Sequence, residues 1–314
     1  MFSTREDLCL LTGTANRPLA ERIARYVGRS LTETTIERFA DGEIYAHIQE
    51  NIRGVDAFII QSTPAPADNL MELLILIDAC KRASAQRVTA VIPYLGYARQ
   101  DRKDRPRVAI TAKLVANLIT SAGADRGLTM DLHTPQIQGF FDIPLDHLFA
   151  APVLLDYLEH LGLERPAVVA PDVGSVKMAR AFAKRLHAEL AIVDKRRPSA
   201  NVSETMNLIG EVDGRDVVIV DDLIDTAGTL ANAAELCMAR GARSVRAAAT
   251  HGLLSGEAIA RLSASPLKDV AITNSLNREN DDLPPSVQIL DVAPLLGEAI
   301  RRIHNAESVS SLFI

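Results

Sequence analysis

The chain contains no tryptophan, and aromatic residues make up only 4% of it. Binding single-stranded nucleic acid takes successive exposed rings for bases to stack on, so this scarcity argues against that class. There is no long basic run, and the net charge of −6 argues against nucleic acid of any form as the main partner. Cysteine is scarce: Cys9, Cys80 and Cys237 are far apart, odd in number and show no metal spacing. Three buried, reduced thiols in a cytoplasmic setting are the expectation. No apolar run is long enough to cross a bilayer, and the first residues, Met-Phe-Ser-Thr-Arg-Glu-Asp, lack a signal-peptide pattern, so no membrane partner is expected. Neither Gly-x-x-x-x-Gly-Lys-[Ser/Thr] nor Gly-x-Gly-x-x-Gly occurs. A nucleoside triphosphate, if bound, is not held by a P-loop or a Rossmann turn.

What is present is ample apolar material. Of 314 residues 47% are hydrophobic and 24% charged, enough for two ordinary cores. Short β-branched runs such as Arg87–Ile92, Ala167–Ala170 and Val217–Val220 alternate with helical patterns such as Asp68–Ala83, Val176–Leu186 and Gly228–Arg240. That order predicts an α/β fold of central, mostly parallel sheets flanked by helices. A sparse repeat with an offset of about 118 residues aligns Thr111 with Thr229, Gly123-Ala124 with Gly241-Ala242, and His133 with His251. It is either chance or one α/β unit used twice. The expected domains are 1–148 and 149–314.

The segment Val217-Val-Ile-Val-Asp221-Asp222-Leu-Ile-Asp225-Thr226-Ala227-Gly228-Thr229 carries the most chemistry. A buried parallel strand runs into two adjacent carboxylates, then a third, then a loop of small residues opening a helix. Ligands of open α/β sheets sit beyond the carboxyl ends of strands. Exposed N–H groups and the helix dipole make Asp225–Thr229 a phosphate site, while Asp221 and Asp222 suit sugar hydroxyls or a metal. Together they fit a sugar phosphate. The segment looks like the phosphoribosyl-pyrophosphate motif of type I phosphoribosyltransferases and their relatives.

Other strand ends are also polar. Phe39 could stack on a base, with Asp41 and Glu43 accepting hydrogen bonds around Gly42; a turn with exposed acids accounts for the same residues. Five basic side chains lie between Arg99 and Arg107, suited to phosphate or to plain solvation. His133 follows Asp131 at a strand terminus, and Asp172 precedes a helix, where it could meet a metal or ribose or cap the helix. Asp194-Lys195-Arg196-Arg197-Pro198 reads as a mobile cationic loop able to close over a polyphosphate, or as a solvated hairpin tip.

In this order, Arg-Phe-Ala-Asp-Gly-Glu, Tyr-Ala-Arg-Gln-Asp-Arg, Asp-Leu-His-Thr-Pro-Gln-Ile-Gln-Gly-Phe-Phe-Asp-Ile-Pro, Pro-Asp-Val-Gly, Asp-Lys-Arg-Arg-Pro and Val-Asp-Asp-Leu-Ile-Asp-Thr-Ala-Gly-Thr resemble the ribose-phosphate pyrophosphokinases, from about residue 8 to the end. The phosphate-activated type is the nearest. The resemblance implies two phosphoribosyltransferase-like domains, a homo-hexamer built from dimers, and transfer of the diphosphoryl group of ATP to ribose 5-phosphate with Mg²⁺. Carried over by position, Asp225, Thr226, Ala227, Gly228 and Thr229 hold the 5-phosphate, and Asp221 and Asp222 hold the ribose hydroxyls. His133 and Asp172 become the Mg²⁺-linked positions, and Lys195 and Arg197 the catalytic cations. Phe39, Asp41, Gly42, Glu43, Arg99 and Gln100 form the ATP site, the Phe39 segment coming from a neighbouring subunit. Three departures stand out: 273–280 lacks an Ile-Pro, Ser199 replaces an Arg, and Gly174-Ser175 replaces the commoner Gly-Gly.

Overall fold

The computed structural model describes residues 8–196, 205–279 and 281–312. The chain forms two compact units. The first comprises Met1–Phe149, Ser275–Arg278 and Val292–Ile314; the second comprises Ala150–Asn274 and Glu279–Asp291. A single cut at 148/149 therefore misses the return of the chain to the first unit.

In the first unit β1 (Leu8–Thr12), β4 (Asp56–Ile60), β5 (Arg87–Ile92), β6 (Arg126–Met130) and β7 (Leu145–Leu148) form a sheet in the order β1-β4-β5-β6-β7. Every pairing is parallel. The strand β4 is buried at every position, as expected of a strand covered on both faces. Its helices are α1 (Arg17–Val27), α2 (Asp68–Arg82), α3 (Thr111–Ala122) and, from the far end of the chain, α8 (Ala293–His304). The reason α8 belongs here is local chemistry. Gly297 lets the helix approach α1 so closely that a Cβ there would meet the Tyr26 ring at 2.6 Å. At its end His304 Nδ1 lies 2.9 Å from Asp56, and Arg87 donates to the Ile303 carbonyl at 3.1 Å. Ser62 likewise donates to the Ser275 carbonyl at 2.7 Å. A separate antiparallel hairpin, β2 (Thr34–Arg38) and β3 (Ile44–Ile48), stands apart from the main sheet.

The second unit is a seven-stranded sheet in the order β10-β9-β8-β11-β12-β13-β14, antiparallel only where β10 meets β9. The strands are β8 (Ala167–Ala170), β9 (Glu189–Arg196), β10 (Thr205–Ile209), β11 (Asp216–Ile224), β12 (Ser244–Gly252), β13 (Leu267–Thr273) and β14 (Val287–Leu290). The helices are α4 (Ala151–His160), α5 (Val176–Arg185), α6 (Gly228–Ala239) and α7 (Ala258–Ala264). The chain proceeds one way from β8 to β9 and the other way from β11 onward, so the order reverses between β8 and β11. That junction is where doubly wound sheets open a crevice at their carboxyl ends. At the amino ends, buried Asp216 is held by Arg243, by Ser244 Oγ at 2.7 Å and by the Glu164 N–H at 2.9 Å. The Arg243 guanidinium keeps its carboxyl well below the ordinary carboxylate range.

The repeat has a structural counterpart. α3 leads to β6 as α6 leads to β12; Gly123 caps α3 and Gly241 follows the Arg240 cap of α6, both glycines at positive φ. The last pair diverges, because His133 is exposed beyond β6 whereas His251 is buried inside β12. Among the described residues no helix is long and apolar enough to cross a membrane. Cys80 and Cys237 are buried, but Cys9 is only partly so; burial pushes all three thiols up to about 12.

Candidate functional site

The strand expected over Val217–Val220 in fact continues to Ile224, so Asp221 and Asp222 lie within β11 and not beyond it. They are nonetheless at its open edge. The ladder with β8 ends at Ile219, whereas that with β12 persists to Ile224. The carboxyl end of β8 turns away through Pro171-Asp172 into α5, and β11 runs on past it with Asp221 and Asp222. Ser175 connects Asp221 to Asp172: its hydroxyl donates to Asp221 Oδ1 at 2.7 Å, and its N–H donates to Asp172 Oδ1 at 3.1 Å. The same Asp221 oxygen accepts the Asp222 N–H at 3.0 Å. Burial, then the charge of Asp222, pushes the Asp221 carboxyl up to about 7, with Asp172 adding to the rise.

The loop that follows is shaped for an anion. Ala227 takes a left-handed conformation at φ 59°, a costly one for a residue with a Cβ. It puts the start of α6 next to Asp225 and Thr226. No side chain caps that helix, and no acid occupies its first turn. Thr226 and Thr229 are exposed there, while Ala227 is buried. An uncapped helix start with hydroxyls beside it attracts phosphate through N–H groups and dipole together. The loop is braced from the β12–α7 connection. Leu253 and Leu254 donate to the Ile224 carbonyl, Ser255 donates to the Asp225 carbonyl at 3.0 Å, and Arg261 donates to the Thr226 carbonyl at 2.9 Å.

Among the described residues no three His, Cys, Asp or Glu side chains form a ready cage for a metal. Asp172, Asp221 and Asp222 nevertheless offer hard oxygen donors, and burial, followed by the neighbouring acidic charge, raises the Asp221 carboxyl. That donor set suits a small divalent cation that keeps water and phosphate oxygens for the rest of its shell. His133 belongs to the first unit and Asp172 to the second.

In the first unit, the Phe39 segment is the tip of the β2–β3 hairpin. β2 stops at Arg38 because the chain turns at once: the Phe39 N–H donates to the Glu43 carbonyl, and Gly42 sits at φ 95°. Asp41 accepts the Glu43 N–H at 3.0 Å. Phe39 is 56% exposed, with the Tyr45 ring beside it at 5.6 Å between ring centres. Arg99 and Gln100 are exposed on the loop after β5. That loop is anchored at Gly96, whose N–H donates to Thr63 Oγ1 at 2.9 Å, and at Gln100, which accepts from Thr111 Oγ1 at 2.6 Å. The segment after β6 is also held. Asp131 sits at φ 39°, and the Leu132 N–H donates to His147 Nε2 at 2.9 Å, leaving His133 exposed.

The cationic segment departs from the mobile-loop reading and keeps to the hairpin one as far as Arg196. Asp194, Lys195 and Arg196 extend β9, and Lys195 pairs with Met206 of β10, a strand the sequence reading lacked. Arg197, with 198–204, lies outside the described residues.

A doubly wound sheet with paired acids and an uncapped, hydroxyl-bearing helix start after the strand at its switch point is the architecture of a phosphoribosyltransferase-like α/β protein. Residues 8–123 match the N-terminal domain of ribose phosphate pyrophosphokinase, and residues 197–314 match the phosphoribosyl synthetase-associated domain. The ribose-phosphate pyrophosphokinase of Chlorobaculum tepidum is 58% identical over 305 residues, 97% of this chain and 94% of that protein. That of Maricaulis maris is 58% identical over 307 residues, 97% and 99% of the two chains. A crystal structure of phosphoribosylpyrophosphate synthetase from Mycobacterium smegmatis matches 96% of this chain and 100% of its own at a TM-score of 0.91 and 43% identity. The chain belongs to the ribose-phosphate pyrophosphokinase family.

Proposed function

We propose that the chain transfers the diphosphoryl group of ATP to ribose 5-phosphate, giving 5-phosphoribosyl 1-pyrophosphate and AMP for nucleotide biosynthesis. The anomeric hydroxyl oxygen forms a bond to the β-phosphorus and loses its proton. The bond from the β-phosphorus to the oxygen bridging toward the α-phosphate breaks, and AMP leaves with that oxygen. The observation that carries this reading is the crevice between β8 and β11, where an uncapped phosphate loop adjoins the Ser175-linked acids.

Asp225–Thr229 takes the 5-phosphate, and Asp221 and Asp222 take the ribose hydroxyls. Phe39, Asp41, Gly42, Glu43, Arg99 and Gln100 take ATP, with Lys195 and Arg197 as the cations that stabilise the transferring group. Transfer of this kind depends on positioning and charge neutralisation more than on covalent help. Mg²⁺, linked to Asp172 and His133, supplies part of that neutralisation when bound. A homo-hexamer is the assembly we assign: Phe39 is presented on an exposed hairpin tip, a placement suited to a neighbouring subunit's nucleotide. The cytoplasm is the compartment that three unlinked thiols fit.

Phosphorus NMR of the protein with ATP, Mg²⁺ and ribose 5-phosphate tests the activity. Equal appearance of phosphoribosyl pyrophosphate and AMP is expected. Consumption of a free purine or pyrimidine base with preformed phosphoribosyl pyrophosphate, and no AMP from ATP, would assign a transferase instead.

A further inference from the structure

We propose that Ser175 is a positioning residue of the acceptor site: its hydroxyl fixes the Asp221 carboxylate and ties it to Asp172. The inference rests on the reading of Asp221 as a ribose contact. Ser175 stands at the N-cap of α5, where a serine oxygen ordinarily accepts an N–H from the helix's first turn. It makes no such bond. The hydroxyl reaches instead across to β11 and donates to Asp221 Oδ1 at 2.7 Å. The helix loses an ordinary stabilising contact, and the crevice gains a fixed one.

The geometry shows which bond holds the proton. A hydroxyl has one hydrogen, and two carboxylate oxygens lie near: Asp221 Oδ1 at 2.7 Å and Asp172 Oδ1 at 3.3 Å. The shorter contact takes it. Ser175 still holds Asp172 through its backbone N–H at 3.1 Å. One residue thus fixes both carboxylates, each by a separate donor. Asp221 Oδ1 also accepts the Asp222 N–H, so two donors on one oxygen set the plane of the carboxylate and the direction of its other oxygen. Gly174 leaves the room this needs, since a Cβ there would come within 3.1 Å of Asp172 Oδ1. Glycine at 175 would allow the same backbone and supply no hydroxyl.

The hydroxyl's contribution separates from the backbone's with Ser175→Ala, Ser175→Gly and Ser175→Thr. Binding of ribose 5-phosphate is followed by titration calorimetry with MgCl₂, beside steady-state kinetics and thermal melting. Ser175→Ala and Ser175→Gly are expected to weaken ribose 5-phosphate binding and raise its KM roughly tenfold, about 1.4 kcal/mol. KM for ATP and the melting temperature of Ser175→Ala stay near those of the wild type, and Ser175→Thr stays within about threefold because it keeps the donor. Wild-type affinity in Ser175→Ala, or equal loss in the Ala and Thr variants, overturns the proposal. A wild-type protein that binds no ribose 5-phosphate would instead overturn the acceptor-site reading on which it rests.

Discussion

Arg261 donates from Nη1 to the carbonyl of Thr226 at 2.9 Å, while Glu257 holds its Nη2 at 3.0 Å. The guanidinium also lies 3.8 Å from where a Cβ on Gly228 would be. An exposed i,i+4 ion pair contributes little by itself. Its effect here is to aim the arginine at the loop that opens α6. A cation on the Thr226 carbonyl polarises the Thr226–Ala227 peptide, which makes its N–H a stronger donor to an anion.

Arg261→Met removes that brace and keeps the side chain's length. KM for ribose 5-phosphate should rise about 10-fold, the loss of one charge-assisted hydrogen bond, with KM for ATP little changed. Steady-state kinetics with each substrate varied in turn would decide it. An equal rise in both constants would mean that Arg261 supports the fold at large and not the loop.

Asp221 links stability to pH. Its folded-state value of about 7 lies above the ordinary 3.8. The folded protein therefore holds a proton that the unfolded chain has released, and the site costs stability as pH rises from about 4 through 7. Asp221→Asn carries no such penalty. In the absence of ligands it should be more stable than wild type at pH 8, on the order of 2 kcal/mol, with the difference fading toward pH 5. Urea unfolding at the two pH values measures this. A variant less stable than wild type at pH 8 would show that the carboxylate's hydrogen bonds outweigh its desolvation. Loss of activity alongside gain of stability is the signature of a site built against the fold's own preference.

Much of this arrangement was legible in the sequence because strands with both faces covered read as unbroken apolar runs. Val217–Val220 and Ala167–Ala170 announced the two strands that flank the crevice, and the small residues Thr226-Ala227-Gly228-Thr229 announced the loop that opens α6. The pattern could not show where β11 ends, because Asp221 and Asp222 interrupt its hydrophobicity while its ladder with β12 continues. β3 and β10 escaped for a related reason: each pairs antiparallel with the strand before it, and neither is an unbroken run of buried apolar residues. Ser175 was visible as a departure from a glycine pair, yet its role depends on a partner 46 residues away. Arg261 carried no local signal, since an arginine on a short amphipathic helix looks like any solvated side chain. The placement of α8 against α1 depends on Gly297 meeting Tyr26, a contact between opposite ends of the chain that no local pattern encodes.

Gly96 tests the loop after β5 that we assign to the nucleotide. A Cβ at this position would stand 2.0 Å from the Thr63 carbonyl oxygen, backbone that cannot rotate aside. Gly96→Ala must push the 93–100 segment off its anchor. It should lower stability by roughly 1–3 kcal/mol, the usual cost of overpacking, and raise KM for ATP because Arg99 and Gln100 ride on the displaced loop. Thermal melting and ATP kinetics read the two effects. A Gly96→Ala protein with wild-type melting would show that the loop yields freely.

The exposed Phe39 makes a prediction about assembly. Truncating a side chain already 56% in solvent should change the stability of the fold by less than about 0.5 kcal/mol, so any loss of activity in Phe39→Ala is a loss of function at a site. If that site belongs to a neighbouring subunit, Phe39 and Lys195 of one chain serve different active sites. Phe39→Ala and Lys195→Ala, each impaired alone, should then recover part of the activity when dissociated and reassembled together. In the mixed assembly some sites receive an intact Phe39 from one kind of chain and an intact Lys195 from the other. Assay before and after mixing, beside size-exclusion chromatography to verify exchange, reads the outcome. Exchange without recovery would place Phe39 and Lys195 at the same chain's site. It would also remove the reason for a heterologous contact in which the hairpin of one copy completes the nucleotide site of the next.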